Sequence, residues 1–192
     1  MAALTPMMQQ YMEVKNQYKD CILFYRLGDF YEMFFDDALT ASKVLEITLT
    51  GRDCGQPERA PMCGVPYHAC DVYLNKLIEN GFKVAICEQV EDPKLAKGIV
   101  KREVIRVVTP GTNMSNAILD ETRNNYLMSI FENDGAFGIS LVDITTGEFK
   151  TARVPSLSKL TDEINKYSPA EIIGNHSFMN CDLDFVYLRE KM

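Results

Sequence analysis

The stretch CILFYRLGDFYEMFFDDA, residues 21–38, contains the strongest structural pattern in the chain. Its first six residues are rich in apolar and aromatic side chains, which predicts a strand at 21–26. Gly28 breaks that strand and permits a tight bend. Residues 30–34 then resume as an extended segment. Two strands joined by a bend are therefore predicted at the centre of the first domain.

The segments on both sides of this stretch alternate between helix and strand patterns. Asp36 and Asp37 are suited to cap a helix that runs to about Glu46. A turn-rich, exposed loop is predicted at 51–61. We therefore predict a first α/β domain at about 1–115, with a mixed sheet and surrounding helices. Its other predicted elements are helices at 5–18 and 68–79 and strands at 47–50, 62–65, 82–90 and 103–109.

A pattern rich in hairpins begins after a predicted linker at 116–124. Strands predicted at 125–131 and 136–143 flank Asp134-Gly135, and Asp-Gly is a strong hairpin signal. A strand at 147–154, a helix that begins at Ser156 or Ser158 and ends near Tyr167, and a short strand at 171–174 follow. We predict a second, partial α/β domain at 125–192, which is small for this class.

Composition and charge restrict the class of protein. The chain has 192 residues, 46% of them hydrophobic and 24% charged, which is typical of a soluble globular protein. The first residues lack the pattern of a secretory signal, so we expect a cytoplasmic protein. The net charge of −7 argues against a protein that simply coats nucleic acid. However, residues 94–106 hold five basic residues and one acidic residue, and contacts with phosphates would begin there. A solvated surface is the alternative for such a run.

The six cysteines do not predict a metal site. No Cys-x-x-Cys pair occurs, and Cys21 and Cys87 lie in predicted strands, where a cysteine acts as a small hydrophobic residue. Four further residues can be drawn together as zinc ligands, but their spacing matches no usual zinc pattern; they are Cys54, Cys63, His68 and Cys70.

Phe30 and Glu32 form the most unusual pair in the sequence. Side chains alternate along an extended chain, so these two point to the same side. An aromatic ring and a carboxylate are thereby placed side by side just after a bend. Taken alone, such a pair is most often one core residue and one solvated residue.

Several blocks, in order, resemble the MutS family of DNA mismatch repair proteins. GDFYEMF (28–34), which contains this pair, resembles the family's mismatch-recognition motif. PMCGVPYHA (61–69), VAICEQVEDP (84–93), VIRVVTPGT (104–112) and DETRNNYLMSI (120–130) also resemble segments of the family. The resemblance covers essentially the whole chain. It implies a mismatch-recognition domain followed by part of a connector domain, which in this family has a ribonuclease H-like fold.

The resemblance implies that this chain recognises mispaired bases or small insertion and deletion loops in duplex DNA. The family's motif assigns Phe30 as a wedge that enters from the minor groove and stacks on the base, and Glu32 as its hydrogen-bond partner. Unstacking a base step costs a few kcal/mol, and a mispaired base yields more easily. Phosphates repel a carboxylate, so we expect Glu32 to lower the affinity for well-paired DNA. The variant Glu32→Gln should then bind well-paired DNA more tightly. Other candidate DNA contacts are Arg52, Met62, Lys97, Lys101, Arg102 and Arg106.

The family's ATPase, which uses ATP and Mg²⁺, and its homodimer-forming region lie far downstream of these blocks. The 192 residues contain no Gly-x-x-x-x-Gly-Lys-Ser/Thr phosphate loop. We therefore expect an N-terminal fragment that has no cofactor and no catalytic site of its own.

Two alternatives stay open at the level of sequence. The segment 137–143 (FGISLVD) resembles the opening of a ribonuclease H-like fold, and Asp143 occupies a place comparable to that of the metal-binding aspartate on the first strand of such nucleases, but one aspartate is not a metal site. The second alternative is a protein-interaction module, since the resemblance implies that the connector region contacts the partner protein MutL.

Overall fold

A computed structural model describes residues 4–92, 96, 98–113 and 124–183. The chain divides into two compact units, Met1–Thr109 and Pro110–Met192. Each unit has a mixed β-sheet with helices, which confirms the predicted fold class. The predicted linker at 116–124 lies, except for its last residue, outside the described residues.

The first unit is built on a six-stranded sheet with the order β3-β4-β2-β1-β5-β6. β1 and β5 are parallel, whereas the other neighbouring strands are antiparallel. Two short 3-10 turns follow β4 and β6, at Tyr67–Ala69 and Pro110–Thr112, the second at the start of the other unit. The elements of the first unit are α1 (Pro6–Gln17), β1 (Cys21–Leu27), β2 (Phe30–Phe34), α2 (Phe35–Leu45), β3 (Thr50–Arg52), β4 (Ala60–Pro66), α3 (Cys70–Glu79), β5 (Lys83–Gln89) and β6 (Arg102–Val108).

Helices cover both faces of this sheet. On one face, the sheet packs against Met8 and Tyr11 of α1. On the other face, it packs against α2 and α3, through residues such as Ala41 and Leu77. Strand residues that alternate in sequence therefore enter different cores, as period-two alternation requires. We call these the α1 face and the α2/α3 face.

Asp37 has a different role from the predicted helix cap. It is 7% exposed and lies inside α2, whose N-cap position is Phe34. Its carboxylate accepts hydrogen bonds from the Leu23 N–H (3.0 Å), the Tyr11 hydroxyl (3.3 Å) and Lys15 Nζ (2.9 Å). The capping prediction was therefore wrong, because this carboxylate connects α1, β1 and α2 instead.

The predictions for residues 47–61 were also partly wrong. The strand predicted at 47–50 begins only at Thr50 and ends at Arg52. The end of the predicted loop belongs to β4, since Gly51 pairs with Pro61 and Arg52 with Ala60. A three-residue strand is too short to leave a readable alternation in the sequence.

The second unit has a four-stranded sheet with the order β10-β7-β8-β9, in which β10 is parallel to β7 and the other pairs are antiparallel. The predicted Asp-Gly hairpin is confirmed, with φ of 52° at Asp134 and 78° at Gly135. Ser156 caps α4 by accepting a hydrogen bond from Lys159 N. Its elements are β7 (Tyr126–Asn133), β8 (Ala136–Asp143), β9 (Glu148–Val154), α4 (Leu157–Tyr167), β10 (Glu171–Gly174) and α5 (His176–Met179).

Candidate nucleic-acid interface

Phe30 lies at the end of the β1–β2 hairpin. Leu27 pairs with Phe30, so only Gly28 and Asp29 form the turn. Gly28 has a φ of 56°, a left-handed conformation that glycine adopts without steric cost. The side chain of Phe30 is 46% exposed. The ring is thus accessible at the surface, as the predicted wedge requires, while its contact with a base stays a prediction.

Glu32 lies on the same sheet face as Phe30. Phe30 pairs with Pro66 of β4, and Glu32 with Gly64, and directly opposed residues share a face. This is the α1 face, since Glu32 also pairs with Tyr25, a member of the core beneath α1. The side chain of Glu32 is 15% exposed, far more covered than the nearby ring. The structure therefore brings the two predicted residues together.

Arg52 contacts Glu32 directly, which the sequence did not indicate. Its Nη1 donates a hydrogen bond to Glu32 Oε2, and the two side chains form an ion pair. Arg52 is the last residue of β3, and its side chain is 38% exposed. It remains open to the approach of DNA, but its nearest anion is a carboxylate of the same domain.

A cluster on the α2/α3 face supports the turn that carries Phe30. Arg26 Nε donates to the Gly28 carbonyl (2.6 Å), and Nη1 forms an ion pair with Glu88 (3.3 Å). The Arg26 guanidinium also lies 3.8 Å from the centre of the Tyr67 ring. Tyr31 donates its hydroxyl to Glu88, and burial, followed by this bond, raises the pKa of Tyr31 above its ordinary value.

The sequence analysis missed this cluster, although one signal was present. A two-residue turn places Arg26 opposite Tyr31, so the pair could have been found from the hairpin register. The Tyr67 N–H also donates to the Asp29 carbonyl (2.9 Å), which attaches the turn to the end of β4. The backbone that presents Phe30 is therefore held on several sides.

The predicted phosphate contact at Arg102 is corrected by the structure. Arg102 is 8% exposed, and its guanidinium lies over the Tyr25 ring. Its nitrogens donate to the Arg26 carbonyl (2.7 Å), to Gln10 Oε1 (3.0 Å) and to the Val100 carbonyl (2.9 Å). A phosphate could bind there only if these internal bonds were broken.

The other basic candidates are distributed around the domain. Lys101 is exposed and forms an ion pair with Glu103, which raises the pKa of Lys101. Arg106 is exposed and pairs with Ile86 of the α2/α3 face, so it lies on the opposite face from Phe30. Lys97 lies outside the described residues. Of the described candidates, Lys101 is paired with Glu103 and Arg106 lies on the opposite face from the ring, and the contacts of all three with phosphate stay predictions.

Met62 is half-buried and packs against the core beneath α1. It pairs with Phe34 of β2 and Thr50 of β3, which places it on the same sheet face as Glu32. Its contact with DNA stays a prediction, and its structural role is packing.

Asp143, the candidate nuclease residue, is fully buried in the second unit. It accepts hydrogen bonds from the N–H of Asn125 (3.0 Å) and from the N–H and hydroxyl of Thr145 (2.9 and 2.6 Å). Burial alone would raise the pKa of Asp143, but these hydrogen bonds hold it below its ordinary value. The carboxylate is thus used to close the turn after β8, which does not support the metal-dependent nuclease.

Within the described part of the chain, no three His, Cys, Asp or Glu side chains come together as metal ligands. Cys54 and Cys63 lie in different cores, on the two sides of the first sheet. Cys87 is buried, which raises the pKa of its thiol to about 12 and keeps it protonated. Among the described helices, none has the length and apolar character needed to cross a membrane.

Comparisons with known proteins agree with this fold. The family model described as MutS domain I matches residues 5–117, and that described as MutS domain II matches residues 125–186. The DNA mismatch repair protein MutS of Lachnoclostridium phytofermentans is 68% identical over 191 residues, which cover 100% of this chain and 20% of that protein. MutS of Acetivibrio thermocellus is 64% identical over 94% of this chain and 21% of its own length. MutS of Clostridioides difficile is 59% identical, over 97% and 19% respectively. The chain spans about a fifth of the length of these relatives, and it belongs to the MutS family through that family's domains I and II.

Proposed function

We propose that this chain recognises mispaired or unpaired bases in duplex DNA, through insertion of Phe30 from the minor groove. The observation that carries the proposal is the exposed Phe30 ring on a braced hairpin, with the Glu32 carboxylate on the same face. An apolar wedge must unstack a base step, and stacking on the ring returns roughly 1–3 kcal/mol whatever the base. Paired DNA resists this step, so the domain reads deformability rather than sequence.

Glu32 adds discrimination to this wedge. A carboxylate oxygen accepts a hydrogen bond from a base whose own partner is lost or displaced. A paired base offers no such bond, and phosphates repel the charge. Glu32 therefore favours binding of a duplex with a mispaired or unpaired base over binding of a fully paired duplex.

This part of the protein acts as a reader of DNA rather than as an enzyme, in the bacterial cytoplasm. The 192 residues contain no phosphate-loop sequence of the kind that binds ATP with Mg²⁺. The resemblance implies that ATP hydrolysis and homodimer formation belong to other parts of the longer family members.

The test compares two duplexes that differ by one unpaired base. The isotopically labelled chain is titrated with each duplex in low salt, and binding is followed by NMR. We expect the wild type to prefer the heteroduplex, and Phe30→Ala to lose about five-fold to a hundred-fold of affinity for it. Phe131→Ala is the matched control, since Phe131 is an exposed phenylalanine of the second unit. Equal binding of the two duplexes by the wild type would refute the proposal.

A protein-interaction module in the second unit is a second candidate function. Phe131, Phe149 and Ile173 are 60%, 64% and 47% exposed. Phe131 pairs with Gly138 and Phe149 with Val142, which places both rings on the sheet face away from α4 and α5. Exposed aromatic side chains of this kind suit a protein partner, and MutL is the partner that the resemblance implies. Loss of MutL capture by Phe149→Ala, with unchanged DNA preference, would support this candidate.

A further inference from the structure

The ion pair between Glu32 and Arg52 reaches across the strand β4, and the β4 residue beside Glu32 is a glycine. β4 lies between β2 and β3, and Gly64 is the β4 residue opposite Glu32. A Cβ added to Gly64 would lie 3.4 Å from Glu32 Cγ and 3.3 Å from the Tyr31 carbonyl oxygen. The absence of that Cβ leaves room for the Glu32 side chain to lie across β4.

Arg52 approaches the same point from the other side. It pairs with Ala60, four residues from Gly64 along β4, so its long side chain extends along β4 to reach the carboxylate. The guanidinium holds Glu32 Oε2. A carboxylate has a second oxygen with its own lone pairs, so Oε1 retains the capacity to accept a further hydrogen bond.

We propose that Arg52 is a positioning residue that determines mismatch preference through Glu32. This inference rests on the proposed function and assigns a device within it. Arg52 fixes one carboxylate oxygen, so that the other oxygen is already oriented towards the base that stacks on Phe30. Fixing a side chain before binding removes part of the entropy that ordering it would cost.

This role differs from a phosphate contact in a measurable way. An arginine that binds phosphate contributes equally to matched and mismatched DNA, because both carry the same backbone. An arginine that acts through Glu32 changes the affinities for the two duplexes unequally, because Glu32 contacts a base only in the heteroduplex. The ratio of heteroduplex to homoduplex affinity therefore separates the two roles.

The experiment is a double-mutant cycle on the whole chain, with Arg52→Gln, Glu32→Gln and both together. The ratio of heteroduplex to homoduplex affinity is measured for each by the same titration. We expect Arg52→Gln to lower the ratio about five-fold in the wild-type background and to leave it unchanged in the Glu32→Gln background. Arg52→Lys retains the charge and should restore part of the ratio.

Gly64→Ala tests the position of Glu32 without removing a charge, because its Cβ would press on the Tyr31 carbonyl oxygen at 3.3 Å and lie against Glu32 Cγ at 3.4 Å. It should lower the ratio as Arg52→Gln does, whereas a variant that unfolds would lose its dispersed NMR spectrum. Equal fold losses on both duplexes, or additive effects in the cycle, would overturn the inference and restore a direct phosphate contact. A wild type without any preference would overturn the proposed function, and this inference with it.

Discussion

Glu32 and Asp143 are both carboxylates of β-strands in sheets covered by helices, yet their surroundings differ. Asp143 is fully buried and accepts hydrogen bonds from the Asn125 N–H and from the N–H and hydroxyl of Thr145 in the turn that follows it. Glu32 is partly exposed, lies on the same face as an exposed ring, and is held at one oxygen by Arg52. The first carboxylate has its hydrogen-bonding capacity used within the fold, and the second retains capacity for a ligand. Saturation, rather than residue type or strand position, separates a structural carboxylate from a candidate binding residue.

The largest expected effect on stability belongs to Asp37, a buried carboxylate of the first unit that accepts three hydrogen bonds. Asp37→Ala leaves Lys15 and the Leu23 N–H without their shared partner, and removing one member of a buried pair costs about 3 kcal/mol or more. Urea unfolding measures the change in the free energy of unfolding. The neighbouring Asp36 is exposed, so Asp36→Ala should cost less than about 1 kcal/mol. Similar losses of unfolding free energy in the two variants would contradict the expected difference between the buried Asp37 and the exposed Asp36.

The second effect, of about 1–3 kcal/mol, is expected for Asp143→Asn, because an amide cannot accept all of the hydrogen bonds that the carboxylate accepts. Because the folded pKa of Asp143 is lowered, its contribution is present above the ordinary carboxyl pKa of about 4 and is lost as the pH falls through the folded value. Acid should therefore destabilise the wild-type second unit more than the variant.

The measurement for Asp143 follows urea unfolding through the amide signals of Ile139 and Leu141 at several pH values. Asp134→Asn is the matched control, since it makes the same change in an exposed turn that asparagine also tolerates. If both variants show the same dependence on pH, then Asp143 is not the group that titrates.

The smallest effect on stability is expected for Phe30→Ala, which removes the group on which the proposed function depends. The ring is nearly half exposed, so its loss should change the free energy of unfolding by about 1 kcal/mol or less. Thermal or urea unfolding of the whole chain tests this value. A loss of unfolding free energy as large as that of Asp143→Asn would mean that the Phe30 ring belongs to the core. The distinction between a structural residue and a candidate binding residue would then fail.

The sequence predicted the parts of the fold that depend on local patterns. Strand alternation located β1, β2 and β5 to within about a residue, and Asp134-Gly135 located the hairpin of the second unit. The four-residue helix α5 was missed, because its length is too short for helical periodicity. Gly28 also indicated the bend before Phe30, whereas the exposure of the ring was implied only by the family resemblance.

The roles that the sequence did not predict depend on contacts between distant residues. Arg102 was assigned to phosphate by its charge, but Gln10 and Arg26, which are remote in sequence, accept its hydrogen bonds. Arg52 was predicted to be near DNA, yet its ion pair with Glu32 depends on the short strand β3, which the turn-rich sequence obscured. A count of basic residues cannot separate a cation that faces solvent from one that supports the fold.

The position of β2 in the interior of the six-stranded sheet has a mechanical consequence. Neighbouring strands lie on both sides of Phe30, through Leu27 of β1 and Pro66 of β4, so the ring is anchored to an interior strand of the sheet rather than to a loop. In the proposed complex, a force that a base pair exerts on the ring spreads over the sheet. The duplex must then deform more than the sheet does, and the domain distinguishes duplexes by how easily they deform.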